Sequence, residues 1–357
     1  MQKPLPARGR GSASNPINRF EAVELVPEPE DIDEVSSPIT QFLTDSSKTI
    51  IAYNESPDVG FDASINPYRG CEHGCIYCYA RPTHEYLGFS AGLDFETKIM
   101  VKEDAPELLR RELSSPKWKP QVIAMSGVTD CYQPVEKKLE ITRRCLEVLL
   151  EFRNPVVIVT KNHLVTRDID VLKRLVRFQC AAVIISLTTL DAKLSATMEP
   201  RASRPARRIA AIRTLSEAGI PVGYLQAPMI PALTDSEAPA IAQAAAKAGA
   251  SFAGYVPLRL PFVVKSLFES WLEQHYPDKK TKVLNRVRAI RGGKLNDPKF
   301  SSRMEGEGIF AEQMAKLFRV ACKKAGIQDK RPCLSTDHFR RRSNDQLVLF
   351  MAGDLRP

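Results

Sequence analysis

Residues 66–80 read NPYRGCEHGCIYCYA and contain three cysteines, Cys71, Cys75 and Cys78, in a C-x3-C-x2-C arrangement. Tyr77 places an aromatic ring one position before the last cysteine. A single short loop thus supplies three thiolates, the ligands that hold iron–sulfur clusters. A cubane held through three of its irons leaves the remaining iron free to bind a small molecule. The spacing therefore favours a [4Fe–4S] cluster with one open iron.

The same triplet could instead hold a structural zinc ion, with His73 or His84 as the fourth ligand. A zinc site of this kind usually takes a second ligand pair from further along the chain. The remaining cysteines stand singly, with no second C-x2-C pair: Cys131, Cys145, Cys180, Cys322 and Cys333. Eight cysteines in 357 residues are also too dilute for a disulfide framework. The sequence favours the cluster and leaves zinc as the alternative.

Beyond the N-terminal region, short apolar segments alternate with segments of helical periodicity. Continuous apolar runs suit strands that are buried on both faces. Five such runs follow the cysteine loop, at 121–128, 154–161, 180–190, 221–230 and 251–260. Helical patterns lie at 103–113, 136–152, 167–178, 204–219 and 236–249. With the strand in ASINPYRG before the cysteines, the alternation predicts six parallel βα units in an α/β fold. The pattern does not distinguish an open barrel from a closed one.

Three regions follow from composition. Residues 1–56 are rich in proline, serine and acidic side chains, so we expect a largely irregular N-terminal segment. Residues 57–264 contain the predicted βα units. Residues 265–357 contain further helical patterns without a clear βα unit, so we expect a helical C-terminal extension that packs against the barrel.

The net charge of +9 lies in this C-terminal extension. Residues 265–357 hold 20 Lys and Arg against 11 Asp and Glu, whereas residues 1–264 hold 31 against 31. A localised basic region suits a phosphate backbone, although a solvated basic helix face has the same composition. We therefore expect nucleic acid as a candidate partner of the extension.

Two further features bear on location. No apolar run approaches the roughly 20 residues that span a bilayer, so we expect no membrane association. Residues 1–16 are basic and lack the apolar core of a secretion signal. Unpaired cysteines and an oxygen-sensitive cluster indicate a reducing compartment, so we expect a cytoplasmic protein.

The cysteine triplet with its aromatic residue, on a loop after the first predicted strand, resembles the signature of the radical S-adenosylmethionine superfamily. The longer strings NPYRGCEHGCIYCYARPTHEYLG (66–88) and SAGLDFETKI (90–99) resemble the branch related to spore photoproduct lyase. The similarity extends from about Asn15 to the C-terminus. It implies a partial (βα)6 TIM-type barrel whose open lateral face is closed by the helical extension.

The resemblance also implies a reaction. Cys71, Cys75 and Cys78 would hold the [4Fe–4S] cluster, and S-adenosylmethionine would chelate its open iron. An external reductant would supply the electron that cleaves the sulfonium to a 5'-deoxyadenosyl radical, which abstracts hydrogen from the substrate. The lyase branch suggests a damaged base in nucleic acid as that substrate. A protein or small metabolite is the first alternative, and a non-enzymatic, metal-stabilised nucleic-acid-binding protein is the second.

Further residues are implied as contacts to S-adenosylmethionine, since active sites in such barrels form where strands end. Tyr77 is expected beside the adenine. Many members carry Gly-Gly-Glu after the second strand to bind the amino group, and here Ser126, Gly127, Thr129 and Asp130 occupy that stretch. The polar residues that end or follow the next two strands complete the set: Lys161 for the carboxylate, Ser186 for the ribose or carboxylate, Glu199 and Arg201. Each of these has a structural or surface role as its alternative.

Cys131 directly follows the second predicted strand. Spore photoproduct lyase uses a cysteine in the same loop, a few positions earlier, to return hydrogen to the product radical. The resemblance therefore makes Cys131 a candidate hydrogen donor, with an inert buried thiol as the alternative.

A short apolar motif lies near the C-terminus. Gln346 to Phe350 read QLVLF and resemble the pentapeptide by which bacterial repair proteins bind the sliding clamp. An exposed tail can insert such an anchor into a groove, although a terminal strand or helix would show the same pattern. We predict the clamp as a partner of this segment.

Overall fold

A computed structural model of the protein describes residues 7–20, 38–327 and 332–341, and the clamp-like segment 346–350 lies outside this range. The described residues form ten strands: β1 Gln41–Thr44, β2 Ile51–Tyr53, β3 Ala63–Ile65, β4 Tyr68–Arg69, β5 Lys98–Val101, β6 Ile123–Met125, β7 Val156–Thr160, β8 Ala181–Ser186, β9 Val222–Met229 and β10 Phe252–Pro257.

The same residues form twelve α-helices: α1 Asp94–Thr97, α2 Ala105–Ser114, α3 Glu136–Leu139, α4 Ile141–Phe152, α5 Ile169–Val176, α6 Ala192–Met198, α7 Pro205–Glu217, α8 Ala238–Lys247, α9 Val264–His275, α10 Pro277–Ala289, α11 Ser302–Glu305 and α12 Ile309–Ala325. Short 3-10 segments lie at Arg81–Leu87, His163–Asp168 and Asp235–Glu237.

Seven strands form the central sheet in the order β10-β9-β8-β7-β6-β3-β2. The six strands β3, β6, β7, β8, β9 and β10 run parallel, and β2 pairs antiparallel with β3. A smaller sheet has the order β1-β5-β4. Helices separate the parallel strands, so the predicted α/β fold with six βα units is confirmed. In the described part of the chain β2 and β10 do not pair with each other, which leaves a partial barrel with one open side.

The opening between the two sheet edges is crossed by the start of α11. This helix contacts β10, and its Arg303 reaches the connection between β2 and β3. The Arg303 guanidinium donates to both carboxylate oxygens of Asp58, at 2.6 and 2.8 Å, and the Ser301 N–H donates to the same group at 3.0 Å. The chain beyond β10 therefore links the first and last strands of the barrel.

The core explains why the apolar runs form strands. Ile158 on β7 and Val183 and Ile185 on β8 have no exposed surface, as strands covered on both faces require. A second apolar cluster lies under the cysteine loop, where Ile76 and Tyr77 pack with side chains of α6, α9 and α10. The C-terminal helices thus support the loop that carries the cysteines.

Helix ends follow local chemistry, with one difference from the sequence pattern. Gly219 and Gly249 follow α7 and α8 with φ of 76° and 97°. This left-handed conformation ends a helix, and glycine adopts it without the steric penalty of a Cβ atom. The pattern at 136–152 predicts one helix, but the chain breaks it at Glu140, where φ is 52°. The break lets the buried Glu136 carboxylate accept the Thr142 N–H in the first turn of α4 at 3.1 Å.

The longest described helix, α12, has 17 residues and packs against α8 and β10. No helix in the part of the chain that the structure describes combines the length and apolar character that a bilayer crossing requires.

Candidate active site

The cysteine loop follows β4 and begins where the Cys71 N–H donates to the Phe95 carbonyl at 2.8 Å. A tight turn then places Cys75 and Cys78, with the Cys78 N–H donating to the Cys75 carbonyl at 3.2 Å. Gly74 makes this path possible because its φ of 65° lies in the left-handed region. Cys71 and Cys75 are buried, and Cys78 is partly exposed.

The three thiols lie close enough to affect one another. Burial raises the pKa of Cys71 well above its usual value, and charge on Cys75 and Cys78 would raise it further. Burial likewise raises the pKa of Cys75 to about 12, although Lys161 opposes the shift. Without a metal, neutral thiols are therefore favoured, and binding a metal centre would displace their protons.

The arrangement suits a multi-iron cluster better than a single ion. No group of three His, Cys, Asp or Glu side chains among the described residues could hold one metal ion. In a cubane each thiolate binds a different iron, so its three ligands need not converge on one point. His73 lies 3.3 Å from the Asp130 carboxylate, and His84 packs against the rings of Phe89 and Phe95. The described residues thus bring neither histidine into a three-ligand group for one zinc ion, although both ring nitrogens of His84 are buried without a hydrogen-bond partner.

A buried ion pair holds the loop from behind. Arg81 and Glu96 are fully buried and 2.5 Å apart, and Arg81 Nε donates to the Cys75 carbonyl at 3.0 Å. The Glu96 carboxylate also accepts the N–H groups of Gly11 and Ser12, each at 2.9 Å. These bonds join the N-terminal segment 7–20 to the backbone between the cysteines.

The Gly11 backbone lies so close to the cysteine loop that a residue with a side chain would not fit there. A Cβ built on it would lie 1.8 Å from the Gly74 carbonyl oxygen, well inside the closest contact that real Cβ atoms make. Glycine is therefore required there by the close approach of two backbones.

The Tyr77 side chain points away from the loop backbone to a buried carboxylate, that of Glu199. Its hydroxyl donates to the Glu199 carboxylate, which also accepts the Thr188 hydroxyl at 2.8 Å and pairs with Arg208. Burial opposes ionisation of Glu199, but Arg208, Lys161 and the hydrogen bonds from Arg208 and Tyr77 lower its pKa to about 2. Glu199 therefore stays charged and fixes the orientation of the Tyr77 ring.

The stretch after β6 uses its side chains to shape the loop. Ser126 adopts φ of 77°, and its hydroxyl accepts the Cys131 N–H at 2.8 Å. Thr129 is buried and donates to the Tyr68 carbonyl at 2.7 Å. The Gly127 carbonyl accepts the Tyr79 hydroxyl at 2.7 Å. The roles of Ser126, Gly127 and Thr129 toward S-adenosylmethionine stay predictions.

Asp130 connects three parts of the site. Its carboxylate accepts the Lys161 N–H and the Thr160 hydroxyl, each at 2.7 Å, and lies beside His73 of the cysteine loop. Burial opposes its ionisation, but His73 and these bonds lower its pKa to about 2. The carboxylate therefore joins the end of β7 to the cysteine loop.

Lys161 and Ser186 lie at the carboxyl ends of adjacent strands. The Lys161 Nζ lies 5.8 Å from the centre of the Tyr77 ring and close enough to Cys75 and Cys78 to oppose the rise in pKa that burial causes in both thiols. Among the described residues this ammonium makes no hydrogen bond or ion pair, so it can receive an anionic group of a ligand. The Ser186 carbonyl accepts from buried Arg208 at 3.2 Å, and its side chain is buried beside this pair.

Arg201 faces the other side of the loop. Its guanidinium pairs with Glu72 at 2.8 Å and donates to Thr40 at 3.2 Å, while its N–H donates to the His73 carbonyl at 3.2 Å. These contacts position the cysteine loop. Its expected contact to S-adenosylmethionine stays a prediction.

Cys131 has no exposed surface. Burial, followed by Asp130, raises the pKa of its thiol well above the usual value, and Ser126 opposes that shift through a hydrogen bond. The thiol is thus neutral and keeps its hydrogen, which a hydrogen donor needs. Its role as donor stays a prediction.

Several residues of the site lie in no sequence motif that would indicate their role. Arg208, Thr188 and Glu96 each act through partners that the fold brings together, as Tyr77 and Thr188 show across 111 positions. Tyr79 directly follows Cys78 in the sequence, and the structure places its ring 5.6 Å from the guanidinium of Arg259, just after β10.

Comparison with known proteins bears on the identity of this site. The model of the radical SAM superfamily matches residues 65–245. An uncharacterised protein of Mycobacterium tuberculosis is 33% identical over 232 residues, which cover 64% of this chain and 68% of the relative. An uncharacterised protein of Methanocaldococcus jannaschii is 31% identical over 223 residues, covering 62% of this chain and 80% of the relative.

Solved structures support the fold. A spore photoproduct lyase complexed with dinucleoside spore photoproduct superimposes with a TM-score of 0.59 at 17% identity, over 80% of both chains. A double mutant of that lyase, with bound S-adenosylmethionine and the same dinucleoside, matches equally well, at 0.59 and 17%. At such low identity these matches show a shared fold.

The cofactors follow from the family and from the three thiols together. Radical SAM enzymes use a [4Fe–4S] cluster and S-adenosylmethionine, so both cofactors expected from the sequence are confirmed. The protein is an enzyme, and the non-enzymatic alternative is wrong. By the match of a family model to half of its length, the chain belongs to the radical S-adenosylmethionine superfamily.

Proposed function

We propose that this enzyme abstracts a hydrogen atom from a damaged or crosslinked base in nucleic acid. The observation that carries the proposal is the fold shared, over 80% of both chains, with a lyase whose structure contains a dinucleoside photoproduct. Fold alone does not fix a substrate, so the proposal also needs support from this chain's own residues.

The cofactors, when bound, supply a 5'-deoxyadenosyl radical through reductive cleavage of S-adenosylmethionine. The chain's task is to hold them and exclude water. Cys71, Cys75 and Cys78 are the cluster ligands, and Lys161 offers its ammonium to the carboxylate of S-adenosylmethionine. Tyr77, fixed by Glu199, forms the apolar floor beneath the loop.

The surface of α10 supports a polyanionic substrate. Its apolar side buries Val283, Leu284 and Val287, whereas its other positions carry five basic side chains and one acidic one, Asp278. The basic residues are Lys279, Lys280, Lys282, Arg286 and Arg288. Lys280 pairs with Glu273, and the other four basic side chains still leave this helix, which packs under the cysteine loop, with a positive charge that suits contact with phosphates.

Two partners belong to the same proposal. An external reductant must deliver the electron that the cluster needs. The segment Gln346 to Phe350 would bring the enzyme to the sliding clamp, which fits repair during replication. A pull-down with the clamp, comparing the native chain with a Leu349→Ala, Phe350→Ala double variant, tests this partner.

Isotope transfer tests the substrate class. Anaerobic holoenzyme is incubated with dithionite, S-adenosylmethionine and oligonucleotides that carry ultraviolet-induced base crosslinks and deuterium in the bases. The proposal predicts deuterium in 5'-deoxyadenosine and its faster formation with damaged than with undamaged strands. If no nucleic acid stimulates cleavage, while a peptide or small metabolite does and passes on its own label, the proposal is wrong and the alternative substrate class is correct.

A further inference from the structure

Three arginines gather at the carboxyl end of β10, on the edge of the barrel where the strands end. They are Arg259, two residues after the strand, Arg291, two residues after the end of α10, and Arg303 of α11. Arg259 lies close to the other two. In addition to burial, the charge of Arg303 lowers the pKa of Arg259, and the charge of Arg259 lowers the pKa of Arg291. Only one carboxylate, Asp58, pairs with any of them within the described residues.

Two of the three guanidiniums have structural partners. Arg291 is buried and donates to the carbonyls of Pro257 and Leu258, at 3.2 and 2.9 Å, and of Ser302, at 2.7 Å. Arg303 takes both oxygens of Asp58. These bonds hold the end of β10 against α11, and they use up the only carboxylate that pairs with this cluster in the described residues.

Arg259 is different. Its one hydrogen bond in the described part of the chain runs from Nη1 to the Met304 sulfur at 3.3 Å, and a thioether is a weak acceptor. Its Nε is buried and has no partner. Burial, with Arg303 adding to it, lowers the pKa of Arg259 below its usual value, although the group stays a cation. The side chain is partly exposed, so a ligand can reach it.

A buried guanidinium that lacks hydrogen-bond acceptors destabilises the fold unless a bound anion supplies them. A buried donor without an acceptor loses its hydrogen bond to water, and the loss is greater for a charged group. Arginine's planar fork matches the oxygens of phosphate. The partly exposed guanidinium of Arg259 therefore has the charge and the donors to bind an oxyanion.

The position of Arg259 ties this site to the chemistry. Its guanidinium lies 5.6 Å from the ring centre of Tyr79, the residue after the cluster ligand Cys78. The Tyr79 hydroxyl is held by the Gly127 carbonyl at 2.7 Å, so the ring is anchored between two active-site loops while 48% of the residue stays exposed. An anion held by Arg259 would thus lie beside the cysteine loop at the mouth of the barrel.

We propose that Arg259 binds a backbone phosphate of the nucleic-acid substrate and so positions the reacting base at the barrel mouth. The inference rests on the proposed function, because it assumes a substrate that carries phosphate. The carboxylate of S-adenosylmethionine is the other oxyanion that could occupy the site. Lys161 already stands beside Cys75 and Cys78 for that group, which favours phosphate at Arg259.

The test measures binding of single-stranded oligonucleotide to holoenzyme by fluorescence anisotropy at several salt concentrations. For Arg259→Gln we expect roughly tenfold weaker binding at low salt, equivalent to about 1.4 kcal/mol, for the loss of one charge-assisted contact. The slope of log affinity against log salt should also fall by about 0.7, the value for one phosphate of a single strand. Arg259→Lys should recover the slope but only part of the affinity.

The matched control is Arg213→Gln. Arg213 is exposed near the C-terminal end of α7, and helices of a βα barrel run back toward the opposite edge of the sheet. We expect its oligonucleotide affinity to match the native enzyme. Thermal unfolding of each variant checks that the barrel is intact, and electron paramagnetic resonance reports whether S-adenosylmethionine still perturbs the cluster.

The outcomes separate the two proposals. If the native enzyme and Arg259→Gln bind oligonucleotide with equal affinity and salt slope, this inference is wrong and the proposed function stands. If Arg259→Gln loses the perturbation by S-adenosylmethionine but keeps nucleic-acid binding, the anion is the methionyl carboxylate and the inference is again wrong. If even the native enzyme shows no binding, the proposed function fails and the inference fails with it.

Discussion

Substituting alanine for Gly11 should weaken the hold on the iron–sulfur cluster, although Gly11 lies 60 positions from the first cysteine. Its new methyl group would sit 1.8 Å from the Gly74 carbonyl oxygen and 3.0 Å from the Gly74 carbonyl carbon. Both are backbone atoms between Cys71 and Cys75, the proposed cluster ligands, so no flexible side chain can yield. Either the loop or segment 7–20 must move by more than 1 Å.

The energy follows from the bonds at risk. Moving the segment breaks the N–H contacts from Gly11 and Ser12 to Glu96, and a hydrogen bond to a charged group contributes about 1.5–3 kcal/mol. Keeping the segment in place instead strains the loop, at about 1–3 kcal/mol for an overpacked site. Either way we expect the cluster loop to lose about 3 kcal/mol of support.

The assay is cluster retention. Iron and acid-labile sulfide are counted after anaerobic reconstitution, and the decay of cluster absorbance is followed with an iron chelator. Gly219→Ala is the control, because no atom lies within 4 Å of its new methyl group; its φ of 76° adds a left-handed cost for alanine that Gly11 does not have. It should lower overall stability by about 1 kcal/mol and leave chelator resistance unchanged.

We expect Gly11→Ala to lose iron at least tenfold faster than the control. A variant that keeps its full iron content and loses it at the native rate would show that segment 7–20 does not support the loop. The account of the Arg81–Glu96 pair as its link would then fail as well.

Three other predictions concern single side chains. The pKa of Glu199 in the folded protein is lowered to about 2, so its contribution to the free energy of unfolding is present above pH 4.5 and is lost as the pH falls toward 2. Urea unfolding should show that this free energy falls by about 3 kcal/mol over that pH range, and Glu199→Gln should abolish this pH dependence. Lys161→Gln should keep full iron content but weaken S-adenosylmethionine binding roughly tenfold, measured by equilibrium dialysis, for the loss of one charged contact; undiminished affinity would exclude Lys161 as the carboxylate partner. Cys131→Ala should leave formation of 5'-deoxyadenosine intact and divert the substrate radical to other products; an unchanged product distribution by mass spectrometry would rule out the donor role.

Local pattern was enough for the strands and the cluster loop. The runs at 154–161 and 180–190 contain β7 and β8, because a strand whose side chains are apolar on both faces is stable only where both faces are buried. The triplet of cysteines carried its own chemistry in its spacing. Both signals lie within about ten residues of sequence, which is the range over which periodicity and spacing are informative.

The supporting contacts could not be predicted, because they join distant parts of the chain. Nothing around Gly11 indicates that its backbone meets Gly74, and Glu199 lies 122 positions from Tyr77, whose hydroxyl it accepts. Ser126 adopts a conformation usually left to glycine, which its residue type does not reveal. Sites assembled from loop ends depend on such long-range contacts more than on local propensity.

The central claim is that three thiolates hold a four-iron cluster with one iron left open to S-adenosylmethionine. Electron paramagnetic resonance of the anaerobically reconstituted, dithionite-reduced protein tests it most directly. The account predicts the signal of a reduced [4Fe–4S] cluster, a clear change in that signal when S-adenosylmethionine is added, and loss of the signal in Cys75→Ala. A reconstituted protein that binds zinc in place of iron, or a cluster signal unaltered by S-adenosylmethionine, would contradict it.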